Sequence, residues 1–263
     1  MTASRWGDLG PRLISALAMV GIGTGAVWLG GLWFHFLIAV VCGLMVWELV
    51  CLLDSERSKS QYILAAATFV VAMLAIELPP AFALPLLMLP AMLGLSRMEH
   101  GGVTYAVFSA LILLAGYAMM DLRDDFGLIW MLWFLVVVVV TDVAGYFAGR
   151  LIGGPKFWPR VSPKKTWSGT IAGWIGAAIV GAIFVSLTNT GPGLIGISIA
   201  VSMAAQIGDI AESAVKRASG VKDSSQLIPG HGGLLDRFDG MLGAAVFIVI
   251  SGQVTGFPTA GAL

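Results

Sequence analysis

The sequence predicts an all-α polytopic integral membrane protein with about nine transmembrane helices, its N-terminus cytoplasmic and its C-terminus on the opposite side. Three observations lead there. The 263 residues are 58% hydrophobic and 11% charged, with a mean hydropathy of +0.91, a composition that suits bilayer spans rather than a soluble domain. Apolar runs of roughly bilayer-crossing length follow one another along the whole chain. Basic residues recur in alternate loops, as cytoplasmic loops require.

The runs fall at 12–30, 31–53, 61–78, 80–97, 103–120, 127–149, 169–188, 193–215 and 240–257. Gly30-Gly31 divides the first two and Pro79-Pro80 the third and fourth, each a turn signal where a tight connection is needed. Pro85 and Pro90 predict a kink in the fourth run, its freed backbone groups satisfied by neighbouring helices. No stretch shows the period-two alternation of a membrane β-barrel. The first run follows Arg5 and Arg12 without a persuasive small-residue cleavage site and reads as an uncleaved span. Cys42 and Cys51 share one apolar run, match no metal or disulfide spacing, and read as small buried hydrophobes.

With the N-terminus inside, the cytoplasmic set is Arg5, Arg12, Arg57, Lys59, Arg97, Arg150 to Lys165, and Lys216 to Arg237. These are 14 of the 15 Lys and Arg residues, and one span more or fewer would scramble the segregation. Arg123 alone falls outside, in an acidic loop with Asp121, Asp124 and Asp125. Residues 1–100 read as a scaffold of membrane helices with small residues suited to close packing. Residues 101–263 carry two chemically distinct cytoplasmic loops, 150–168 and 213–239.

The first of these, Arg150–Thr166, holds five basic residues and no acid. Positive-inside bias and lipid head-group anchoring explain that equally well as a phosphate site does. The phosphate reading rests on Ser162, Lys164, Lys165 and Thr166, which present cations and hydroxyls just before a helix N-terminus. The second loop, Ser213–Asp239, packs Lys216, Arg217, Lys222, Arg237, Asp223, Asp236, Asp239 and His231 between two apolar runs.

Four acids lie within or at the edge of spans: Glu48, Asp142, Asp209 and Glu212. An ionisable group near the bilayer centre costs about 2.5–3.5 kcal/mol on translocon scales and is a functional candidate by default. Glu48 and Asp142 fall near cytoplasmic helix ends, which weakens both. Asp209 is stronger, because Gln206, Asp209, Glu212, Ser213 and Lys216 share one helical face that emerges at the second loop. That face reads as the wall of a water-filled cavity, or alternatively as an internal Asp209–Lys216 and Glu212–Lys216 charge network. Gly220 can cap the helix, and Pro229–Gly233 forms a flexible loop able to approach a ligand. Asp236 and Asp239, three apart, supply the oxygen-only ligands that suit Mg2+ held together with phosphates. His231 is isolated from cysteine, which argues against zinc, and no Walker A sequence is present.

The stretch resembles the signature of the phosphatidate cytidylyltransferases (CDP-diacylglycerol synthases). Ser213, Lys216-Arg217, Lys222-Asp223, Ile228-Pro229, His231-Gly232-Gly233, Asp236-Arg237 and Asp239 meet every element at the family spacing. The likeness extends through Asp142–Phe147, Gly149-Arg150 and Ser162–Trp167, with Ser168 where the family often has Glu or Gln. It covers roughly the C-terminal half, and the first hundred residues match only in being hydrophobic.

The resemblance implies that CTP and phosphatidic acid give CDP-diacylglycerol and pyrophosphate, with Mg2+ required and a second cation left open. It implies a cytoplasmic-facing site in a bacterial inner membrane, contact with membrane lipids, and no nucleic acid; small-residue faces permit a homodimer. Asp209, Asp236 and Asp239 are the expected metal ligands, with Asp142 organising the cations or joining the metal shell. Ser213 lines the site, while Lys216, Arg217, Lys222 and Arg237 hold phosphates and Lys164-Lys165 clamp from the facing loop. Asp223 and His231 complete the expected catalytic set. The competing readings are a CTP-dependent enzyme for another lipid phosphate or a polyprenol, and an ion-coupled transporter. The transporter would need charge in both halves.

Overall fold

The structure, a computed structural model, describes residues 9–54, 59–188 and 190–255. Within the described residues, each of the nine apolar runs is largely helical. In chain order these are α1 (Leu9–Leu29), α2 (Gly31–Leu53), α3 (Ser60–Ala75), α4 (Pro80–Leu87), α5 (Leu89–Arg97), α6 (Gly102–Asp125), α7 (Leu128–Leu151), α8 (Trp167–Leu187), α9 (Gly193–Ala218) and α10 (Leu235–Thr255). Among the described residues, seven helical segments are long and apolar enough to cross a membrane, with α4 and α5 counted as one. At 16 residues, α3 is shorter. Arg5 and Arg57, two of the expected cytoplasmic cations, lie outside the described residues.

The fourth run breaks as its prolines require. Pro90 has no N–H to continue the ladder, so the helix divides at Met88 into α4 and α5. The Pro90 carbonyl accepts a hydrogen bond from the buried Tyr105 hydroxyl of α6 at 3.2 Å. This bond ties α5 to α6 beside the break.

Three boundaries differ from expectation. The acidic stretch 121–125 is the last turn of α6 rather than a loop, and Arg123 sits there, where a cation meets the negative end of the helix dipole. α10 begins at Leu235, five residues ahead of the apolar run, so Asp236 and Asp239 are both helical. The basic loop 150–168 contains an antiparallel hairpin, β1 (Lys156–Trp158) and β2 (Ser162–Thr166), pairing Lys156 with Thr166 and Trp158 with Ser162. Strands of three and five residues are too short for periodicity to reveal.

The chain forms two compact units. One comprises Met1–Leu113 with Ser219–Arg237, the other Leu114–Ala218 with Phe238–Leu263. In the first, α2 and α3 approach through Gly43, where an added Cβ would lie 3.1 Å from the Ala65 carbonyl oxygen. On α1, Gly21, Gly23 and Gly25 have open space beside them.

In the second unit glycines do bring helices together. Gly145 of α7 faces Gly169 of α8, whose Cβ would fall 2.5 Å from the Gly145 oxygen. Gly208 of α9 and Gly243 of α10 meet main chain to main chain: a Cβ on Gly208 would lie 2.4 Å from the Asp239 oxygen, and one on Gly243 2.1 Å from that of Ala204. Close backbone approach of this kind is how helices associate where water supplies no hydrophobic drive. Buried polar pairs join it, with Trp133 Nε1 donating to Ser198 Oγ at 3.0 Å and Thr141 Oγ1 to Ser202 Oγ at 2.8 Å.

Because the α9–α10 contact is made by backbone, nothing soft can yield to a methyl group. Gly243→Ala is expected to cost about 1–3 kcal/mol, read as a lower thermal unfolding midpoint in detergent. An unchanged midpoint would show that these helices can separate freely.

Candidate active site

In the second unit, α7, β2, the start of α8 and α9 enclose a cavity of about 530 Å3. On α7, Asp142, Gly145, Tyr146, Gly149 and Arg150 recur at helical spacing and all line it. Gly149 lets the end of the hairpin come close, since a Cβ there would lie 2.9 Å from Thr166 Oγ1. Arg150 donates to the Tyr146 hydroxyl at 2.6 Å and its guanidinium stands over that ring, which directs the cation along the cavity wall.

Asp209 projects from α9. Its Oδ2 pairs with Lys165 Nζ of β2 at 2.6 Å, while Oδ1 accepts from Ser213 Oγ at 3.3 Å. Lys165 also reaches the Gln206 carbonyl. The Gln206 side chain takes a hydrogen bond from Trp174 Nε1 at 3.0 Å and donates to the Thr170 carbonyl at 3.2 Å, bracing α9 against α8. Lys164 is exposed at the cavity rim. Ser162 faces Trp158 across the hairpin, and Thr166 is the N-cap of α8, its hydroxyl accepting from Gly169 N–H at 3.2 Å. Lys164, Lys165 and Thr166 thus all line the cavity, and the Thr166 hydroxyl also caps α8.

The α9 stripe divides. Gln206 and Asp209 line the cavity, whereas Glu212, Ser213 and Lys216 are buried and Lys216 pairs with Glu212. Of the charge network read from the sequence, the Glu212–Lys216 pair is present, while Asp209 pairs with Lys165 of the hairpin. Arg217, at the end of α9, is exposed. From α10, Asp239 lies within electrostatic reach of Asp209, Asp142 and Lys216, and Asp142 within that of Asp209 and Lys165. Among the described residues no three such side chains converge tightly enough to enclose an ion unaided. The donor set nonetheless fits Mg2+, which typically takes one or two carboxylates and completes its shell with water and substrate phosphates.

In the first unit, residues 219–237 form a tightly bonded loop. α9 ends at Ala218 and Gly220 follows at φ +73°, the left-handed cap that the sequence predicts. Pro229–Gly232 lies in a hydrogen-bonded turn. His231 N–H donates to the Ile228 carbonyl and Ile228 N–H to that of Gly232, closing a turn at 2.9 and 2.8 Å. Arg237 donates from Nε to the His231 carbonyl at 2.9 Å, and His231 Nδ1 meets Ser15 Oγ of α1 at 2.9 Å. Lys222 and Asp223 are exposed.

Asp236 organises this loop. Its Oδ2 accepts from Ser224 N–H at 2.9 Å, Ser224 Oγ at 3.0 Å and Gly233 N–H at 2.8 Å, the last reaching back to a donor just ahead of α10. Sequence reasoning missed Ser224 and Ser225 as structural partners and undervalued Glu48. Glu48 is fully buried, and accepts from Ser225 Oγ at 2.6 Å, Leu234 N–H at 2.9 Å and Leu235 N–H at 2.7 Å. The signal was present as an acid inside an apolar run, but its distance from the loop along the chain concealed its partners.

The sequence model of the Cytidylyltransferase family matches residues 10–255. A phosphatidate cytidylyltransferase of Brucella suis is 36% identical over 264 residues, which is 95% of this chain and 96% of that protein. One of Brucella abortus is 35% identical over the same span. A phosphatidate cytidylyltransferase of Haemophilus influenzae is 44% identical over 128 residues, covering 46% of this chain and 44% of its own. Similarity is thus not confined to the C-terminal half: the family match and the Brucella alignments take in the first hundred residues too. The chain belongs to the cytidylyltransferase family and is a membrane-integral nucleotidyltransferase.

Proposed function

We propose that this protein transfers the cytidylyl group of CTP to phosphatidic acid, releasing pyrophosphate and forming CDP-diacylglycerol for phospholipid synthesis. The observation that carries the reading is the second unit's cavity, where Asp142 and Asp209 stand among Arg150, Lys164 and Lys165, in a chain of this family.

A phosphatidate oxygen attacks the α-phosphorus of CTP, a new O–P bond forms, and the bond to the β-phosphate oxygen breaks as pyrophosphate leaves. The nucleophile is already anionic, so no activated serine or cysteine is required. The barrier lies in bringing two polyanions together and in the charge that builds on the departing pyrophosphate. Arg150, Lys164 and Lys165 answer the first need from the cavity wall. Lys165 neutralises Asp209 in the resting protein and is placed to exchange that partner for a substrate phosphate. In the loop of the first unit, Lys222 and Arg237 are exposed for the same purpose, and Asp236 keeps the loop in shape. Asp142, Asp209 and Asp239 would hold Mg2+, which supplies Lewis-acid polarisation of phosphoryl oxygens when bound.

The reading includes nine spans with the N-terminus and both loops on the cytoplasmic side of a bacterial inner membrane. The basic residues of 150–165 and 216–237 support it.

Purified protein given phosphatidic acid and labelled CTP is expected to put label into lipid and release equimolar pyrophosphate, with both lost on chelation of Mg2+. Label without pyrophosphate, or turnover unaffected by chelation, would defeat the scheme. Asp209→Asn is expected to lower kcat by about 10²–10³-fold, the scale of losing one electrostatic stabiliser, and Asp236→Asn to lower it by loosening the loop that carries Lys222 and Arg237, each while eluting as folded protein. Near-wild-type turnover at saturating Mg2+ would remove either residue from the machinery. For the topology, Arg160→Cys at the hairpin is expected to react with an impermeant maleimide in inverted vesicles and not in intact cells; the opposite pattern would invert the assignment.

A further inference from the structure

Glu48 lies in α2, far in sequence from every element of the family signature, yet its fully buried carboxylate is devoted to that signature's loop. Oε1 takes Ser225 Oγ and Leu234 N–H; Oε2 takes Leu235 N–H at 2.7 Å, with Ser224 Oγ farther off at 3.4 Å. The two backbone donors belong to the opening of α10, whose first N–H groups have no partner within their own helix. A negative charge at that position also meets the positive end of the helix dipole.

Gly233 gives an independent sign of the same fit. A Cβ there would lie 2.6 and 2.8 Å from the two Glu48 oxygens and 2.0 Å from Ser224 Oγ. The second glycine of the His-Gly-Gly element is thus the residue that lets Glu48 reach the main chain. α1 adds a second anchor, since Ser15 Oγ donates to the Pro229 carbonyl at 3.2 Å and meets His231 Nδ1. Gly230 lies so near Arg12 that a Cβ would fall 2.3 Å from its Cγ.

We propose that Glu48 is a positioning residue for cytidylyl transfer: its carboxylate pins 224–235, so that Lys222 and Arg237 at the ends of the loop are presented to substrate phosphates. The proposal rests on the assignment of that loop to the reaction. Glu48→Gln keeps the length of the side chain but turns an amide N–H2 toward donors, whereas Glu48→Asp keeps an acceptor-only group one methylene shorter. Ser225→Ala removes one donor from the loop side and leaves α2 intact.

The test is steady-state kinetics with CTP varied, together with hydrogen–deuterium exchange, on the full chain in phosphatidic acid-containing vesicles. Glu48→Gln is expected to raise KM for CTP by about tenfold or more, the scale of one charge-assisted hydrogen bond. Exchange at Leu234 and Leu235 should accelerate while α2 and α3 stay protected. Glu48→Asp should recover part of both effects, and Ser225→Ala should move both in the same direction by a smaller factor. Unchanged loop exchange overturns the proposal, as does protection lost equally across α2 and α3, which would mark Glu48 as part of the helix core alone. If Glu48→Gln does not accumulate, Ser225→Ala decides: wild-type kinetics and exchange overturn the proposal. Lys222→Ala and Arg237→Ala provide the separate control. Wild-type KM in both would overturn the loop's assignment to the reaction, even where Glu48→Gln loosens the loop.

Discussion

A carboxylate in an apolar helix bundle must be met by donors or cations, and the placement of those partners orders both units of this protein. In the second unit Asp209 is met by Lys165 and Ser213, and Lys165 in turn ties the hairpin to α9. In the first, Glu48 and Asp236 collect the N–H and hydroxyl groups of one loop and give that irregular segment a single shape. Desolvation makes each acid costly alone, so each recruits neighbours. The recruited neighbours are residues of the family signature or stand beside them.

This constraint explains why the two parts of the signature differ in character. Among the cavity cations, Lys165 is held by a side-chain ion pair with Asp209 and Arg150 by the Tyr146 ring and hydroxyl. The 219–237 loop is held by two carboxylates, Glu48 and Asp236, on its main-chain N–H and serine hydroxyl groups. Serving a charged nucleotide calls for both, since groups that contact phosphate must exchange partners while the frame that aims them must not.

The helices were legible because apolar length and loop charge are local properties. Gly30-Gly31, Pro79-Pro80 and Pro90 marked connections and a kink that the fold contains. Asp209 could be read as a cavity-wall candidate from its helical spacing with Gln206, Glu212, Ser213 and Lys216. The β1–β2 hairpin was invisible, because Lys156–Trp158 and Ser162–Thr166 offer too few residues for a pattern. The role of Glu48 was invisible for a different reason: its partners, Ser225, Leu234 and Leu235, are some 180 residues away in the chain. Local reasoning could see that a buried acid needed company, but not which segment would provide it. Thr166 shows the converse, a hydroxyl correctly placed beside a helix start whose first duty is to that helix.

The contact of Gly208 with the main chain at Asp239, and of Gly243 with that at Ala204, bears on how such an enzyme can diverge. The relation between the Asp209 and Asp239 segments is set by backbone meeting backbone, so no side chain packed between them acts as a spacer. Residues on the outward faces, such as Ile207 and Ile250, can then be exchanged as bilayers change in thickness or fluidity without altering the separation of the acids. Adaptation to a new membrane and preservation of the chemistry become independent problems for natural selection.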